Sequence, residues 1–458
     1  MIETLNLVVI GAGYVGLTTG VCFAYLGHKV SIVEKDKYKL NQLRNLKIPF
    51  YERHLEELLN LSFNNLYFTD DLGEVISKAD VIMIAVGTPC KSNGQADNFQ
   101  VEEASYQIAM NLSEKKNIVI IIKSTVPIGT NRRVHNIIKK SLSEKGIESD
   151  VKVKVVSNPE FLREGNALHD MFYPDRVIVG ADDSESIDKI RQLYQPILEQ
   201  NFFPPEFLPR PVGYKLPPFI ITDPVSAEMI KYAANAFLAT KISFINEIAG
   251  LCEKVGADVS EVARGIGLDP RIGSEFLKAG LGWGGSCFPK DTAALVAMGQ
   301  EFSYPMRLLE ATREVNLRQR ARTVEKLQDA LKGVRGRVIG ILGLAFKPGT
   351  DDVREAPALH LIRLLLEREA HVRTHDPLAM ENAKKVLGNV NVEFYTDPYK
   401  MAEGADALVL ATEWPEYRHL DLKRLAQSMR TPVLLDGRNL FDPTEARKAG
   451  FLYMGIGR

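Results

Sequence analysis

Leu5-Asn6-Leu7-Val8-Val9-Ile10-Gly11-Ala12-Gly13-Tyr14-Val15-Gly16 is the stretch whose reading decides the fold. An apolar run ends in a glycine turn, and a helix-like stretch follows to about Leu26. After Gly27-His28 a second apolar strand, Val30–Val33, ends at Glu34. Strand, G-x-G-x-x-G, helix, strand and acid in that order form a dinucleotide-binding unit. Gly11 permits the tight turn, Gly13 lets the backbone approach a pyrophosphate, and Gly16 allows close helix–strand packing. The helix N-terminus favours phosphate charge. Glu34 can accept hydrogen bonds from the adenosine ribose, which favours NAD over NADP.

Further apolar strands follow at Asp80–Val86, Ile118–Lys123 and Val151–Ser157, each ending in a polar loop. In an open parallel sheet, ligands sit beyond those carboxyl ends, so Thr88, Thr125 and Glu160 are expected to converge on one crevice. Glu160 and Glu164 are four apart. On a helical turn they would share a face, and two near carboxylates push one pKa up, which suits acid–base work. A solvated turn is the plainer alternative.

Pro196–Pro224 is rich in Pro and Phe and reads as a loop or insertion between domains. A long helix is expected from about Ser226 to Val255, apolar on more than one side, and therefore buried between domains or in a dimer interface. Lys231 and Asn235 sit on it four apart. A lysine on so apolar a helix finds a partner or leaves the core.

Gly282-Trp283-Gly284-Gly285-Ser286-Cys287-Phe288-Pro289-Lys290-Asp291 is the second chemical signature. Its glycines let backbone approach a ligand. Cys287 can act as a nucleophile, with Asp291 on the same face if a helix starts near Ser286. Lys290 can lower the thiol pKa or face a charged ligand. The plain reading is a turn followed by an inert cysteine. Arg307–Leu331 reads as a charged connecting helix. Then the strand–helix pattern restarts at Arg337–Leu342, and its first turn lacks G-x-G-x-x-G. There Lys347, Arg354 and Arg438 supply cations, which points to an anionic ligand held by side chains.

The totals bound the rest. A chain of 458 residues is too long for one core, so two or three domains are expected. A formal net charge of −1 gives no field for nucleic acid. No apolar run suits a membrane span, and the N-terminus shows no signal-peptide pattern. Cys22, Cys90, Cys252 and Cys287 are scattered, which argues against a disulfide framework or a cysteine-rich metal site and fits the cytoplasm.

The chain resembles the UDP-glucose/GDP-mannose dehydrogenase family over essentially its whole length. The motifs that carry the resemblance are Gly11–Gly16, Val86–Pro89, Ser124–Pro127, Asn158–Gly165, Ala227–Leu238, Phe276–Asp291 and Leu344–Arg354, in the family's order. The resemblance implies an α/β fold of two Rossmann-like doubly wound domains joined by a central helical segment with one long helix. Its divisions are 1–205 for NAD, 206–325 for dimerisation and the cysteine loop, and 326–458 for a UDP-sugar. It implies an NAD-dependent, two-step oxidation of a nucleotide-sugar alcohol to the acid by a homodimer.

The resemblance also assigns roles by position. Cys287 is the nucleophile, with Lys231 and Asp291 as polar helpers. Asn235 and Thr125 order substrate or water, and Glu160 and Glu164 lie near the reacting carbon. Glu34, Lys39, Thr88, Thr125, Glu164, Lys290 and Arg354 match cofactor contacts. Phe161, Leu162, Arg163, Glu164, Lys231, Asn235, Phe276, Leu277, Lys278, Ala279, Gly280, Gly284 and Lys347 match substrate contacts. Arg271 resembles an arginine that reaches the partner subunit's substrate. Phe203–Phe219 is longer than the resemblance leads one to expect. Within the family, Phe276–Cys287 is most like the glucose-type members; GDP-mannose or a UDP-N-acetylhexosamine is the alternative substrate. A dinucleotide-binding sensor without catalysis is a third reading, and the intact Cys287, Lys231 and Asp291 argue against it.

Overall fold

The computed structural model of the chain describes residues 4–113, 116–147 and 151–458. The chain divides into two compact units, residues 1–233 and 234–458. The first contains one eight-stranded sheet: β1 (Asn6–Ile10), β2 (Lys29–Val33), β3 (Leu66–Thr69), β4 (Val81–Ile84), β5 (Lys116–Ile122), β6 (Val151–Ser157), β7 (Val177–Gly180) and β8 (Phe219–Thr222). They lie in the order β3-β2-β1-β4-β5-β6-β7-β8. Every pairing is parallel except β6 with β7.

Both faces of this sheet are covered, which is why its strands read as apolar runs rather than alternating ones. Leu7 and Val9 enter one core with Ile32, Val81 and Met83. Val8 and Ile10 enter the other with Val33, Ile82 and Ile84. The turn after β1 depends on two glycines. Gly11 has φ +100°, and a Cβ there would lie 2.8 Å from the Ala85 carbonyl oxygen. A Cβ on Gly16, in the helix Tyr14–Tyr25, would lie 2.0 Å from the Gly11 carbonyl oxygen.

The second unit holds six parallel strands: β9 (Val338–Leu342), β10 (His371–His375), β11 (Val392–Phe394), β12 (Ala407–Leu410), β13 (Val433–Asp436) and β14 (Leu452–Gly455). Their order, β11-β10-β9-β12-β13-β14, repeats that of the first six strands of the first sheet. The internal echo is thus a repeat of topology. It is not a repeat of the turn: Gly343 keeps a positive φ of +96°, but the next helix begins only at Pro357.

Within the Pro196–Pro224 stretch, residues 200–218 form no helix or strand, as its reading as a loop or insertion expects, but the two ends are regular. Pro196 lies inside the helix Ser184–Glu199, and β8 adds an edge strand to the first sheet. Phe202, Phe207, Leu208, Tyr214 and Phe219 pack against that sheet's core. The prolines break regular structure locally, and several aromatic residues pack, partly buried, against the core while Phe203 stays exposed. The long helix spans Pro224–Val255. It buries Ala227, Tyr232, Ala239, Ile245 and Ala249 but leaves Phe237, Phe244 and Leu251 exposed, so it is not apolar-buried on every side. Among the described residues no helix is long and apolar enough to cross a membrane.

Gly16→Ala tests the turn. Alanine gains about 1 kcal/mol of helix propensity. The new methyl meets a backbone carbonyl that cannot rotate away, and such overpacking costs about 1–3 kcal/mol. The expected result is a lower urea midpoint and a weakened dinucleotide affinity. A more stable variant with unchanged affinity would refute the steric role.

Candidate active site

In the first unit, the loops after β4, β5 and β6 hold the expected residues. Thr88 Oγ1 donates to the Thr125 carbonyl at 2.8 Å, tying two loops together. Beyond β6, residues 158–165 form no helix, so Glu160 and Glu164 do not share a helical face. Glu160 instead pairs with Lys231: Nζ lies 2.9 Å from Oε1, and the side chains are 5% and 6% exposed. Glu160 Oε2 accepts from the Leu162 N–H at 2.6 Å. Burial alone would raise the Glu160 carboxyl, but the Lys231 ammonium, the Leu162 N–H and the Lys123 charge hold it below its ordinary value. Burial, not a second carboxylate, supplies the upward push here, and the two lysines with the Leu162 N–H outweigh it. Lys231 Nζ also lies 5.3 Å from the centre of the Phe161 ring.

Sequence reasoning passed over the residues that complete this cluster. Buried Lys123 donates to Asn158 Oδ1 at 3.1 Å and to the Tyr194 hydroxyl at 2.9 Å. Tyr194 in turn donates to Asn158 Oδ1 at 2.7 Å. Burial drives the Lys123 ammonium down to about 8, with Glu160 opposing and Lys231 adding to the shift. The available signal was a lysine closing the otherwise apolar strand Ile118–Lys123. Glu228 was also missed. Its carboxylate accepts the Gly129 and Asn131 N–H groups at 2.6 and 2.7 Å. It thereby caps the helix Thr130–Glu144, whose N-cap Gly129 has no side chain. Burial pushes this carboxyl up to about 7 against those donors.

Other expected residues of this unit are less concentrated. Arg163 is exposed and turned onto Asp170, with Nε and Nη2 at 2.9 and 2.6 Å. Leu162 packs against the core, and Glu164 and Lys39 are half-buried.

In the second unit, Cys287 is the N-cap of the helix Phe288–Glu301 and is half-buried. The Asp291 N–H returns to the Cys287 carbonyl at 2.8 Å, the first bond of that helix. The Cys287 side chain does not itself cap the helix, and its Sγ lies 3.5 Å from Ser286 Oγ. Asp291 is fully buried; Asn235 Nδ2 donates to its Oδ2 and Lys290 Nζ to its Oδ1, each at 2.6 Å. Lys290 thus places one of its three donors on Asp291.

The loop before Cys287 is gripped from several sides. Asn316 accepts the Trp283 N–H at 2.7 Å and donates to the Trp283 carbonyl at 3.0 Å. A Cβ on Gly284 would lie 2.2 Å from the Glu355 carbonyl oxygen. Phe276 sits at φ +63°, a left-handed conformation a phenylalanine rarely adopts. Arg438 donates to the Ala411 and Gly282 carbonyls at 2.8 and 3.3 Å and pairs with Glu413. Lys347 lies 5.3 Å from the Phe346 ring centre, and Arg354 is exposed and bonded to Asp352. Leu277 and Ala279 have their side chains in the core, which leaves their backbone to meet a ligand. Lys278 is exposed, the Gly280 N–H donates to Asn246 at 2.8 Å, and Arg271 is exposed and paired with Asp269.

A dinucleotide fits the first turn. A Cβ at Gly13 would meet nothing within 4 Å, so open space lies over a helix N-terminus whose N-cap has no side chain. Glu34 accepts the Ala12 and Asp36 N–H groups, each at 2.9 Å, and keeps lone pairs for hydroxyls.

A doubly wound domain with a glycine turn and a terminal acid, followed by a second one and a helix-capping cysteine, defines a dinucleotide-dependent dehydrogenase. Residues 5–198, 225–318 and 340–443 match the NAD binding, central and UDP binding domains of one family. The chain belongs to the UDP-glucose/GDP-mannose dehydrogenase family, and its cofactor is NAD. It is 47% identical to a UDP-glucose 6-dehydrogenase of Bacillus subtilis, over 99% of this chain and 93% of that one. It is 46% identical to the Rhizobium meliloti UDP-glucose 6-dehydrogenase, over 99% and 100%. The structure of a UDP-glucose dehydrogenase from Pyrobaculum islandicum matches at 37% identity with a TM-score of 0.87, covering 100% and 98%.

Lys123 makes stability depend on pH with a definite sign. Its folded value, about 8, lies below the ordinary 10.5, so between these the unfolded chain binds more protons. Stability from this group therefore rises as pH increases through that window. Lys123→Met should remove a rise of about 3 kcal/mol, read from urea midpoints of variant and wild type across the window. Parallel curves would remove the assigned shift.

Proposed function

We propose that this chain oxidises UDP-glucose to UDP-glucuronate through a thioester on Cys287. The observation that carries the reading is Cys287 at a helix N-terminus, one turn from a buried Asp291 held by Asn235 and Lys290. The full-length likeness to UDP-glucose 6-dehydrogenases supports the substrate.

Alcohol to acid is a loss of two hydrides, and NAD⁺, when bound, would supply the acceptor for each oxidation. Glu160 and Lys231 face the sugar C6 oxygen, with Thr125 and Asn235 ordering substrate and water. The hydroxyl proton passes to a water ordered by Thr125 and Asn235 as the first hydride departs, giving the aldehyde. The Cys287 thiolate then adds to the aldehyde carbon, forming a C–S bond and an oxyanion that the Lys231 ammonium stabilises. Loss of the second hydride gives the thioester. Water, aided by Asp291, attacks its carbonyl; the C–S bond breaks, the thiolate is restored and the acid leaves. A thiolate suits this sequence because it is a strong nucleophile and a good leaving group.

Gly11, Gly13, Gly16, Glu34, Lys39, Thr88, Glu164, Lys290 and Arg354 are assigned to the cofactor. Phe161–Glu164, Phe276–Gly280, Gly284, Lys347 and Arg438 are assigned to the UDP-sugar. The domain divisions 1–205, 206–325 and 326–458, and a cytoplasmic location, belong to the same reading.

The test is NADH production over a panel of nucleotide sugars. UDP-glucose should lead, with two NADH per sugar; stronger turnover of GDP-mannose or a UDP-N-acetylhexosamine would replace the substrate. Cys287→Ala should abolish acid formation while NAD⁺ binding stays. Lys231→Ala should slow oxidation at least about a hundredfold, the loss of one oxyanion donor. It also leaves Glu160 buried without its partner, at a cost of about 3–5 kcal/mol. Lys231→Ala/Glu160→Gln, which removes both charges, must therefore be folded and slow as well. Wild-type rates in either folded Lys231 variant would make the lysine structural.

We further propose a homodimer built on the long helix. Phe237, Phe244 and Leu251 recur every seventh residue, forming one stripe that is 66%, 50% and 59% exposed. Arg271 is assigned to the substrate bound in the partner subunit. Light scattering at micromolar concentration should give a dimer, and Phe244→Glu a monomer; a monomeric wild type would overturn this.

A further inference from the structure

Glu52 lies between the helices Lys37–Arg44 and Leu55–Ser62, and its carboxylate is 3% exposed. An isolated carboxylate is costly to bury, so its partners matter. Among the described residues the Tyr14 hydroxyl and the Gly165 N–H donate to Oε2, the latter at 2.6 Å, and the Ala167 N–H donates to Oε1 at 2.9 Å. The Gly165 N–H is shared with the Tyr14 hydroxyl oxygen at 2.7 Å. Tyr14 occupies one of the three unspecified positions of the G-x-G-x-x-G turn and opens its helix, and its ring rests 5.1 Å from that of Phe50. Gly165, at φ +82°, directly follows Glu164.

Residues 160–165 have no helix or strand of their own. They are fixed at two ends. Glu160 is held by Lys231, and Gly165 by Glu52. A plain helix cap would need only the Gly165 and Ala167 donors. The third donor comes from the dinucleotide turn, so one carboxylate spans the cofactor turn and the segment assigned to the sugar.

We infer that Glu52 is a positioning residue that sets the 160–165 segment in register with the dinucleotide turn. It touches neither ligand; it acts through Tyr14 and Gly165. The inference rests on the proposed function for which ligand that segment meets, but the latch itself rests on the hydrogen bonds.

Glu52→Gln keeps the shape and replaces one acceptor oxygen with a donor, leaving an N–H facing an NH₂. Tyr14→Phe removes one contact and keeps the carboxylate. Full-length wild type, both variants and Glu56→Gln, an exposed acid on the next helix, are compared. For Glu52→Gln, the expected result is a KM for UDP-glucose raised about tenfold and a kcat lowered about tenfold, in line with a small misplacement of reacting groups. Directly measured NAD⁺ affinity should stay within about threefold, because Gly11 and Gly16 shape the turn independently. Glu56→Gln should match wild type. Wild-type kinetics in folded Glu52→Gln would overturn the inference. So would a loss of NAD⁺ affinity as large as the rise in KM, which marks a general structural role.

If Glu52→Gln does not fold, Tyr14→Phe decides: a KM raised about threefold upholds the latch, and unchanged kinetics removes it. If wild type turns over no nucleotide sugar, the functional reading falls instead. The latch is then judged by deuterium exchange at Gly165 and Ala167, which must quicken in Glu52→Gln, or in Tyr14→Phe for Gly165 if Glu52→Gln does not fold.

Discussion

A carboxylate and an ammonium share a dry site at Glu160 and Lys231, and much of the first unit is arranged to make that tolerable. Removing two charges from water is expensive, and the pair repays this only with further hydrogen bonds. The Leu162 N–H supplies one. The second cation, Lys123, is satisfied by neutral groups, Asn158 and Tyr194, rather than by a carboxylate of its own. Two positive charges thus bear on one negative charge. The surplus suits a site where an oxyanion forms, since a preorganised cation needs no rearrangement as charge develops.

The second unit solves a different problem, presenting a half-buried thiol on a stiff support. The loop ahead of Cys287 has close backbone contacts at Gly284 and a double hydrogen bond from Asn316 to Trp283. Asp291 is fixed through both oxygens. Phe276, held at a positive φ, shows that the same segment carries backbone strain, and such strain persists only where its surroundings over-determine it.

The glycine turn, the strand ends and the cysteine loop were legible because each demands a residue type at a fixed spacing. Gly11 and Gly16 have no room for a side chain, and Cys287 and Asp291 are one helical turn apart. The supporting residues were not legible. Glu52, Asn158, Tyr194 and Glu228 act through contacts between residues far apart in sequence, and no local period marks them. The Glu160–Glu164 reading failed because i,i+4 spacing means proximity only in a helix, and the chain there is irregular. In the proline-rich stretch the prolines did mark a loop, but the edge strand that ends it and the partial packing of its irregularly spaced aromatic residues left no local period to read.

The acids that end β2 and β10 occupy equivalent places in two like sheets, yet their lone pairs are spent differently. Glu34 takes N–H groups from Ala12 and Asp36. Asp376 takes them from Leu344, Ala345, Leu378 and Ala379, and from the Trp414 indole as well. Five donors fill a carboxylate with about four acceptor positions. A ribose arriving at the second turn would find no vacancy. The two halves are thereby orthogonal: one retains an open receptor for a diol, while the other has turned the same acid into a strut. A ligand that needs a carboxylate to receive its diol is directed to the first turn by the state of one side chain, not by size.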